Sequence, residues 1–316
     1  MLDAFLIMLR NVLLFVVLAI PGYILVKGKV IKETESGVLS KLLTYVGMPF
    51  LILSSTLNIS FSSEFTAKIL IVGLIGIAFT LAFFFLSPLA VKKESEAKKQ
   101  GMIRFCMFFS NNGFLGIPLA KAVFGDSPVV TYLIVLNIIT NVLMFTLGVY
   151  LISGDKRAIS IKKALLSPVL IAFIVGVILN FADVTKEVPE VGTYSSHFSN
   201  IVTPISMTIL GIKMAGVRFR KICSNLRMYF VSAVKLIVMP VIGVGLMLFL
   251  KLFFSINADM VTGFFIAFAM PTAGLASTFS DHYNGDTENA VAFTLGSTLF
   301  SVLTIPILYW ALCLLL

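Results

Sequence analysis

Two adjacent amides, Asn111 and Asn112, stand beside Gly113 inside an apolar stretch that is long enough to cross a bilayer. The same stretch continues to Gly116 and Pro118, and both of these residue types weaken a helix. Lipid cannot satisfy exposed peptide groups, so an interrupted helix at this depth must face protein or a water-filled cavity. We therefore predict a binding site here, built from the amides and from backbone groups that the interruption leaves free.

A matching interruption occurs near the other end of the chain, inside a second apolar stretch. It consists of Pro271, Thr272, Ala273 and Gly274. Two interrupted helices in corresponding positions of two halves are the best sequence indication of a transporter's binding site. We expect the two to cross, with the helix starts after Gly113 and after Pro271 holding a carboxylate. Two questions stay open: whether these are only kinked, packed helices, and whether Asn111 or Asn112 contacts the ligand.

Three further polar side chains lie within apolar stretches. Asn137 and Asn141 are four residues apart and share one helix face, where they bind a ligand or hydrogen-bond a neighbouring helix. Lys235 lies about six residues inside its stretch; it takes part in substrate or ion coupling, or it reaches out to the headgroups or a structural partner. We find no acidic residue in the middle of any apolar stretch, so a central carboxylate proton relay is not expected, whereas sodium coupling stays open.

The composition places almost the whole chain in a membrane. It has 316 residues, of which 59% are hydrophobic and 12% charged, and its mean hydropathy is +1.04. No soluble domain has that balance. We expect no catalytic residues, no metal site and no cofactor beyond a possible sodium ion, and no binding to nucleic acid in spite of the net charge of +9. The expected partners are a small organic anion and membrane lipid.

The apolar stretches predict an all-α polytopic protein with ten transmembrane helices. They lie at about 5–26, 39–57, 66–91, 102–124, 128–150, 164–182, 197–217, 229–253, 258–281 and 287–315. The third and last are long for a hydrocarbon core of ~30 Å, so tilting or kinking is expected. Alternate loops hold 18 of the 24 basic residues, which predicts that these loops are cytoplasmic and both termini extracytoplasmic.

Proline positions indicate an internal repeat. Pro49 and Pro204 sit in the middle of spans 2 and 7 and are 155 residues apart, while Pro118 and Pro271 are 153 apart. Five spans per unit is an odd number, so the second unit must enter the membrane from the opposite side and the repeat is inverted. We predict units at 1–152 and 164–316, joined by a short basic loop at 153–163.

Several short segments resemble the auxin efflux carrier family. The resemblance covers the whole chain and is carried by Asn112-Gly113-Phe114-Leu115-Gly116-Ile117-Pro118-Leu119, Met48-Pro49, Lys235-Leu236-Ile237-Val238-Met239-Pro240, Met270-Pro271-Thr272-Ala273 and Tyr283-Asn284-Gly285-Asp286. That family includes plant auxin exporters and bacterial permeases for malate, malonate and related anions. The long hydrophilic loop and the acidic support-site residue of the plant members have no counterpart here, so the chain is closer to a short bacterial-type permease.

The resemblance implies more than the residues alone. It implies a scaffold of spans 1, 2, 6 and 7, a transport domain of spans 3–5 and 8–10, an elevator-like movement and a homodimer formed through the scaffold. It places Asn111 or Asn112, Pro118 and Pro271 at the crossing of spans 4 and 9, with Asn137 on the adjacent helix. The expected function is transport of small mono- or dicarboxylates across the plasma membrane. A sodium-coupled symporter of bile-acid-carrier type and a channel are the alternatives.

Overall fold

The computed structural model describes residues 2–57, 59, 61–216 and 224–316. Three basic residues that contribute to the predicted orientation, Arg218, Arg220 and Lys221, lie outside the described residues. Every regular element within these ranges is helical. The helices are α1 Leu2–Lys27, α2 Ser36–Leu42, α3 Met48–Leu57, α4 Ser63–Leu86, α5 Ala97–Phe108, α6 Ile117–Phe124, α7 Pro128–Leu143, α8 Val149–Ser153, α9 Ile161–Leu165, α10 Pro168–Phe181, α11 Val184–Glu187, α12 Glu190–Ser199, α13 Val202–Gly216, α14 Leu226–Ala233, α15 Met239–Leu250, α16 Ala258–Ala269, α17 Ala276–His282 and α18 Thr287–Leu315.

Within the described ranges, seven helical stretches are long and apolar enough to cross a membrane. They are Phe5–Lys27, Glu33–Leu57, Ser63–Val91, Pro128–Ser153, Glu190–Gly216, Leu226–Leu250 and Thr287–Leu315. Three shorter apolar helices, Asn112–Phe124, Pro168–Phe181 and Ala258–Ala269, fall in the other predicted spans. The chain is therefore a helical membrane protein that crosses the bilayer several times, while the count of ten spans stays a prediction.

Short π-helical turns join several helices end to end. Those of the described chain are Leu43–Gly47, Asn112–Gly116, Met144–Gly148 and Val234–Val238. Three of these four end two residues before a proline, namely Pro49, Pro118 and Pro240. A proline lacks the N–H that a helix needs, and its ring collides with the carbonyl one turn earlier. The wider turn moves that carbonyl aside, so the helix continues through the proline.

These turns correct the predicted positions of the breaks. Pro49 and Pro118 are each the second residue of a helix, and Pro204 is the third residue of α13, which follows a short gap after α12. All three are helical in place: the wider turn before Pro49 and Pro118 accommodates each proline, and Pro204 lies in the first turn of α13, where its missing N–H needs no partner. The interruption in the 102–124 span therefore lies before Gly116 and Pro118, at 109–111.

Helices α1 and α13 pack closely, backbone against backbone. A Cβ added to Gly22 would lie 2.0 Å from the Thr208 carbonyl oxygen, and one added to Gly211 would lie 1.8 Å from that of Ala19. Small residues allow this approach in membranes, where dispersion and polar contacts rather than hydrophobic exclusion hold helices together. The contact joins predicted span 1 to predicted span 7.

The remaining helices pack around this pair in two groups. α3 packs on α10 and α12, beside α1 and α13. In the other group α7 packs on α4 and α16, α15 on α16, α14 on α18, and α5 on α8. α18 also runs along α1 and joins the groups. The interrupted helices α5–α6 and α16–α17 both belong to the second group, and a cavity lies where it meets the first.

Candidate functional site

The two interrupted helices meet backbone to backbone. The Asn111 N–H donates to the Pro271 carbonyl at 2.8 Å, and the Ala273 N–H donates to the Phe109 carbonyl at 2.7 Å. Ser110 and Thr272 thus form an isolated antiparallel bridge. Since peptide groups at membrane depth need partners within the protein, each interruption satisfies the backbone of the other. The predicted crossing of the two interrupted stretches is present.

Local sequence explains why the second helix stops where it does. A residue that precedes proline is driven out of the helical region, and Met270, which precedes Pro271, is extended with φ −66° and ψ 148°. The bridge then continues through Thr272, whose side chain is fully buried. The Thr272 hydroxyl donates to the Cys106 carbonyl at 2.9 Å, and its N–H donates to the Ser297 hydroxyl at 3.1 Å. Pro271 and Thr272 therefore hold the crossing together.

Two glycines in the restarted part of the first interrupted helix let it approach its neighbours closely. A Cβ added to Gly116 would lie 3.0 Å from Met270 Cγ, and one added to Gly113 would lie 2.9 Å from Met48 Cε. These are tighter than ordinary side-chain contacts. The first glycine thus allows close packing at the crossing, and the second brings the restarted helix against α3.

A cavity of about 460 Å³ opens beside the crossing. Most of its wall is apolar, and none of the described residues that line it is acidic. The two interruptions, α7 with the turn after it and α9 supply one side, and the π-helical turn Leu43–Gly47, α3 and α10 supply the other. The lining residues include Thr44, Tyr45, Met48, Ser110, Asn111, Gly113, Phe114, Asn137, Asn141, Lys162, Ser167, Ala273, Gly274 and Leu275.

The structure separates the predicted ligand residues into two sets. Lining the cavity are Asn111, Gly113, Asn137, Asn141 and Ala273. Behind its wall are Asn112, Pro271 and Thr272, all of them buried. Of the two adjacent amides, Asn111 is thus the one that faces the cavity, a choice that the sequence left open.

Two buried amides lack hydrogen-bond partners. Both side-chain polar atoms of Asn112, which is 0% exposed, and the Asn137 Nδ2 atom have no partner among the described residues. Asn141 Nδ2 donates to Asn137 Oδ1 at 3.1 Å and to the Asn137 carbonyl at 2.8 Å, both within α7. Buried polar groups are nearly always paired, so unpaired ones call for a ligand or an ordered water. Asn137 lines the cavity and can offer its Nδ2 atom to a ligand there, whereas the Asn112 amide lies behind the cavity wall.

Two lysines reach the crossing from other helices. Lys235 is 0% exposed, so its side chain does not extend to the lipid headgroups. Its Nζ atom donates to Ser110 Oγ at 2.5 Å and lies 3.3 Å from the Phe268 carbonyl oxygen. Lys213, at the end of α13, donates to the Gly274 carbonyl at 3.2 Å and to Ser277 Oγ at 3.3 Å. Positive charge therefore lies behind and beside the cavity.

Sequence reasoning gave no binding role to Lys213, Lys162, Tyr45 or Met48, although Met48 belongs to one of the motifs that carry the family resemblance. The two lysines counted only as evidence of orientation, because a basic residue near a span end is the ordinary signal of a cytoplasmic loop. Tyr45 and Met48 belong to an apolar helix, and hydropathy does not distinguish a cavity wall from a lipid-facing surface. Tyr45 and Met48 line the cavity because α3 and the π-helical turn before it lie beside the crossing.

Comparison with known proteins gives matches to transporters. The chain matches the family described as membrane transport protein twice, over residues 7–162 and 156–309. It is 26% identical over 300 residues to an uncharacterized transporter of Methanothermobacter thermautotrophicus, covering 94% of this chain and 96% of that protein. It is 24% identical over 211 residues to an uncharacterized transporter of Methanocaldococcus jannaschii, covering 65% of this chain and 68% of that one.

Each half of the chain matches the family model separately, which is compatible with two related units. The resemblance to the auxin efflux carriers is confirmed, and the sequence and its matches lead to one conclusion. The chain belongs to the membrane transport protein family of auxin efflux carrier-like transporters.

Proposed function

We propose that this protein is a secondary transporter of small organic anions, and that the cavity beside the crossing is its substrate site. One observation carries the proposal: the cavity is lined by Asn137, whose buried Nδ2 atom has no partner among the described residues, it has lysines nearby, and its described lining holds no carboxylate. A cation would meet no acidic group among the described lining residues, whereas an anion would meet hydrogen-bond donors and positive charge. Membership of a transporter family supports the same class of function.

The substrate would bind with its carboxylate towards the amides. Asn111 and Asn141 line the cavity, and the first turn of the restarted helix at Asn112–Gly116 adds N–H groups that a helix start leaves unpaired. Tyr45 and Met48 would contact the remainder of the molecule. We expect the substrate to be a mono- or dicarboxylate in which an apolar portion is tolerated, because polar groups occupy only one part of the wall.

Movement of one helix group against the other would carry the substrate. The cavity lies between the group of α1, α3, α10, α12 and α13, which we propose as the scaffold, and the group that holds both interrupted helices. A site at such a boundary can be exposed to either side when the groups slide, as in an elevator mechanism. The cavity reaches Lys162 in the basic loop at 153–163, so with the predicted orientation this state opens to the cytoplasm.

We also propose a location and an assembly. The protein would lie in the plasma membrane with both termini outside, as the distribution of basic residues predicts. We propose a homodimer formed through scaffold helix α10, whose outer face is apolar and could pack on lipid or on a second copy: Ile171, Ile174, Val175, Ile178 and Phe181. Mass measurement of the purified protein in detergent checks the assembly, and a monomeric mass contradicts it.

Uptake into proteoliposomes tests the proposed function. Labelled malate, malonate and indole-3-acetate would each be offered with and without a sodium gradient and with an imposed membrane potential. We expect at least one of them to enter in a saturable way and to exchange with trapped unlabelled anion, which a channel would not do. Entry of none of the three anions, or unsaturable flux without exchange, contradicts the proposal.

A matched pair of asparagine variants connects uptake to the cavity. Asn137→Ala should reduce uptake by about tenfold or more, since a lost hydrogen bond to a charged group is worth about 1.5–3 kcal/mol. Asn11→Ala is the control, because the Asn11 amide donates to the Ile7 carbonyl of its own helix, away from the cavity. Equal uptake by the two variants would remove Asn137 from the site.

A further inference from the structure

The Lys235 side chain lies where the two interrupted helices end. Its Nζ atom lies 3.5 Å from the Phe108 carbonyl oxygen, 3.3 Å from the Phe268 carbonyl oxygen and 2.5 Å from Ser110 Oγ. Phe108 is the last residue of α5, and Phe268 is the last but one of α16. One ammonium group therefore joins the C-terminal ends of both half-helices.

A cation is needed at this point for an electrostatic reason. The last four carbonyls of a helix have no partner within the helix, and the helix dipole gives that end a partial negative charge. Two such ends converge here in a fully buried place, where the solvent screens them little. Ammonium has three donors and no acceptor, and the structure offers it three oxygen acceptors.

In transporters with interrupted helices, freed carbonyls and half-helix C-terminal ends are where coupling sodium ions or protons bind. In this chain a covalently attached cation occupies such a place. The hydrogen bonds of Lys235 within the described residues all go to uncharged oxygens, so its charge is not cancelled locally by a carboxylate. Ser110, which accepts one of these bonds, also lines the cavity, so the ammonium lies one side chain away from the substrate.

We propose that Lys235 is a built-in counter-ion that replaces a coupling sodium ion at the crossing. In its ammonium form it holds the two half-helix ends together and places positive charge behind the anion site. Transport and stability of the wild-type protein are then independent of sodium. Removing the ammonium leaves a vacancy among three oxygens that a small cation from solution can fill. This inference rests on the proposed function for its transport arm only.

Thermal unfolding of the purified protein tests the proposal without any substrate. Wild-type protein and Lys235→Ala would be heated in sodium chloride, methylammonium chloride and choline chloride at equal ionic strength. The wild-type Tm should be the same in all three. The variant should unfold about 5 °C or more lower in choline and recover part of that loss in methylammonium or sodium. Choline is too large to enter the vacancy, so it controls for general salt effects.

Lys251→Ala is the matched control, because Lys251 follows the same helix and is exposed; its Tm should not depend on the cation. If Lys235→Ala cannot be purified, Lys235→Gln replaces it; that side chain still donates to oxygen but fills the vacancy, so its Tm should be below that of the wild type to the same extent in all three salts. A wild-type Tm that rises with sodium overturns the proposal. The proposal is also overturned if the neutral variant is as stable as the wild type, or if no small cation recovers the lost Tm of Lys235→Ala.

Uptake gives a second readout that a merely structural lysine would not alter. In proteoliposomes that take up any of the three labelled anions, wild-type rates should be equal in sodium and choline. Lys235→Ala should lose about tenfold or more and regain several-fold on addition of methylammonium. Sodium-stimulated uptake by the wild type overturns the proposal while leaving anion transport intact. If no anion enters, the proposed function fails and the thermal experiment alone decides the role of Lys235.

Discussion

Asn112 offers a test in which loss of function should accompany a gain in stability. Its amide is 0% exposed, and neither polar atom has a partner among the described residues. An unsatisfied buried donor or acceptor costs about 1–3 kcal/mol, whereas an apolar group of the same shape carries no such cost. Leucine has nearly the shape of asparagine. We therefore expect Asn112→Leu to stabilise the substrate-free protein by about 1–3 kcal/mol, after some loss to imperfect packing.

Asn180 is the matched control for this substitution. Its Nδ2 atom donates to the carbonyls of Thr56, Leu57 and Ile59 at 3.1, 2.9 and 2.8 Å, and so it closes the end of α3. Asn180→Leu leaves those carbonyls without this donor and should destabilise by about 1–3 kcal/mol. The same substitution should thus raise the free energy of unfolding at the buried Asn112 and lower it at the half-buried Asn180.

The assay is the midpoint of thermal unfolding in detergent without added anion, combined with uptake into proteoliposomes. Asn112→Leu should raise the Tm by a few degrees and reduce uptake, because the unpaired amide directly behind the cavity wall is kept for function at the expense of stability. A lower Tm with normal uptake refutes the reasoning. That result would mean that an ordered water or the crossing itself already satisfies the amide, so that Asn112 has a purely structural role.

Two further pairs of substitutions test the crossing and the packing around it. Pro271→Ala should reduce uptake by about tenfold, since it frees the residue before it to continue α16, whereas Pro118→Ala should stay within about twofold, because that proline lies inside a helix start. Uptake would be measured for both variants. Equal losses of uptake in the two would contradict the corrected position of the break. Gly101→Ala should abolish folded protein, since its Cβ would lie 1.8 Å from the Leu151 carbonyl oxygen. Gly37→Ala, with nothing within 4 Å, should keep the wild-type elution profile in size-exclusion chromatography.

Much of the fold follows from composition and pattern. A mean hydropathy of +1.04 leaves no alternative to a membrane protein, and the apolar stretches locate the helices to within a few residues in most cases. The family resemblance was equally readable, because it rests on short motifs around the two breaks. Both kinds of information are local: they need only neighbouring residues, and tertiary contacts do not change them.

The breaks show where local information ends. The sequence placed the first interruption over the stretch that ends at Gly116 and Pro118, yet the helix has already restarted at Asn112. The reason is that the π-helical turn before Pro118 removes the clash of its ring, so the helix continues through it. The extended segment at 109–111 lies elsewhere because its backbone pairs with Thr272 and its neighbours, about 160 residues away in the sequence.

The sequence by itself determined that this chain is a helical membrane protein of a transporter family with two interrupted helices. Only the tertiary structure decided that Asn111 rather than Asn112 lines the cavity, and that Lys235 joins the two half-helix ends instead of reaching the membrane surface. Hydropathy adds up along the chain and is therefore readable in one dimension. The direction of a side chain, and the carbonyls that it meets, depend on which distant helix packs beside it.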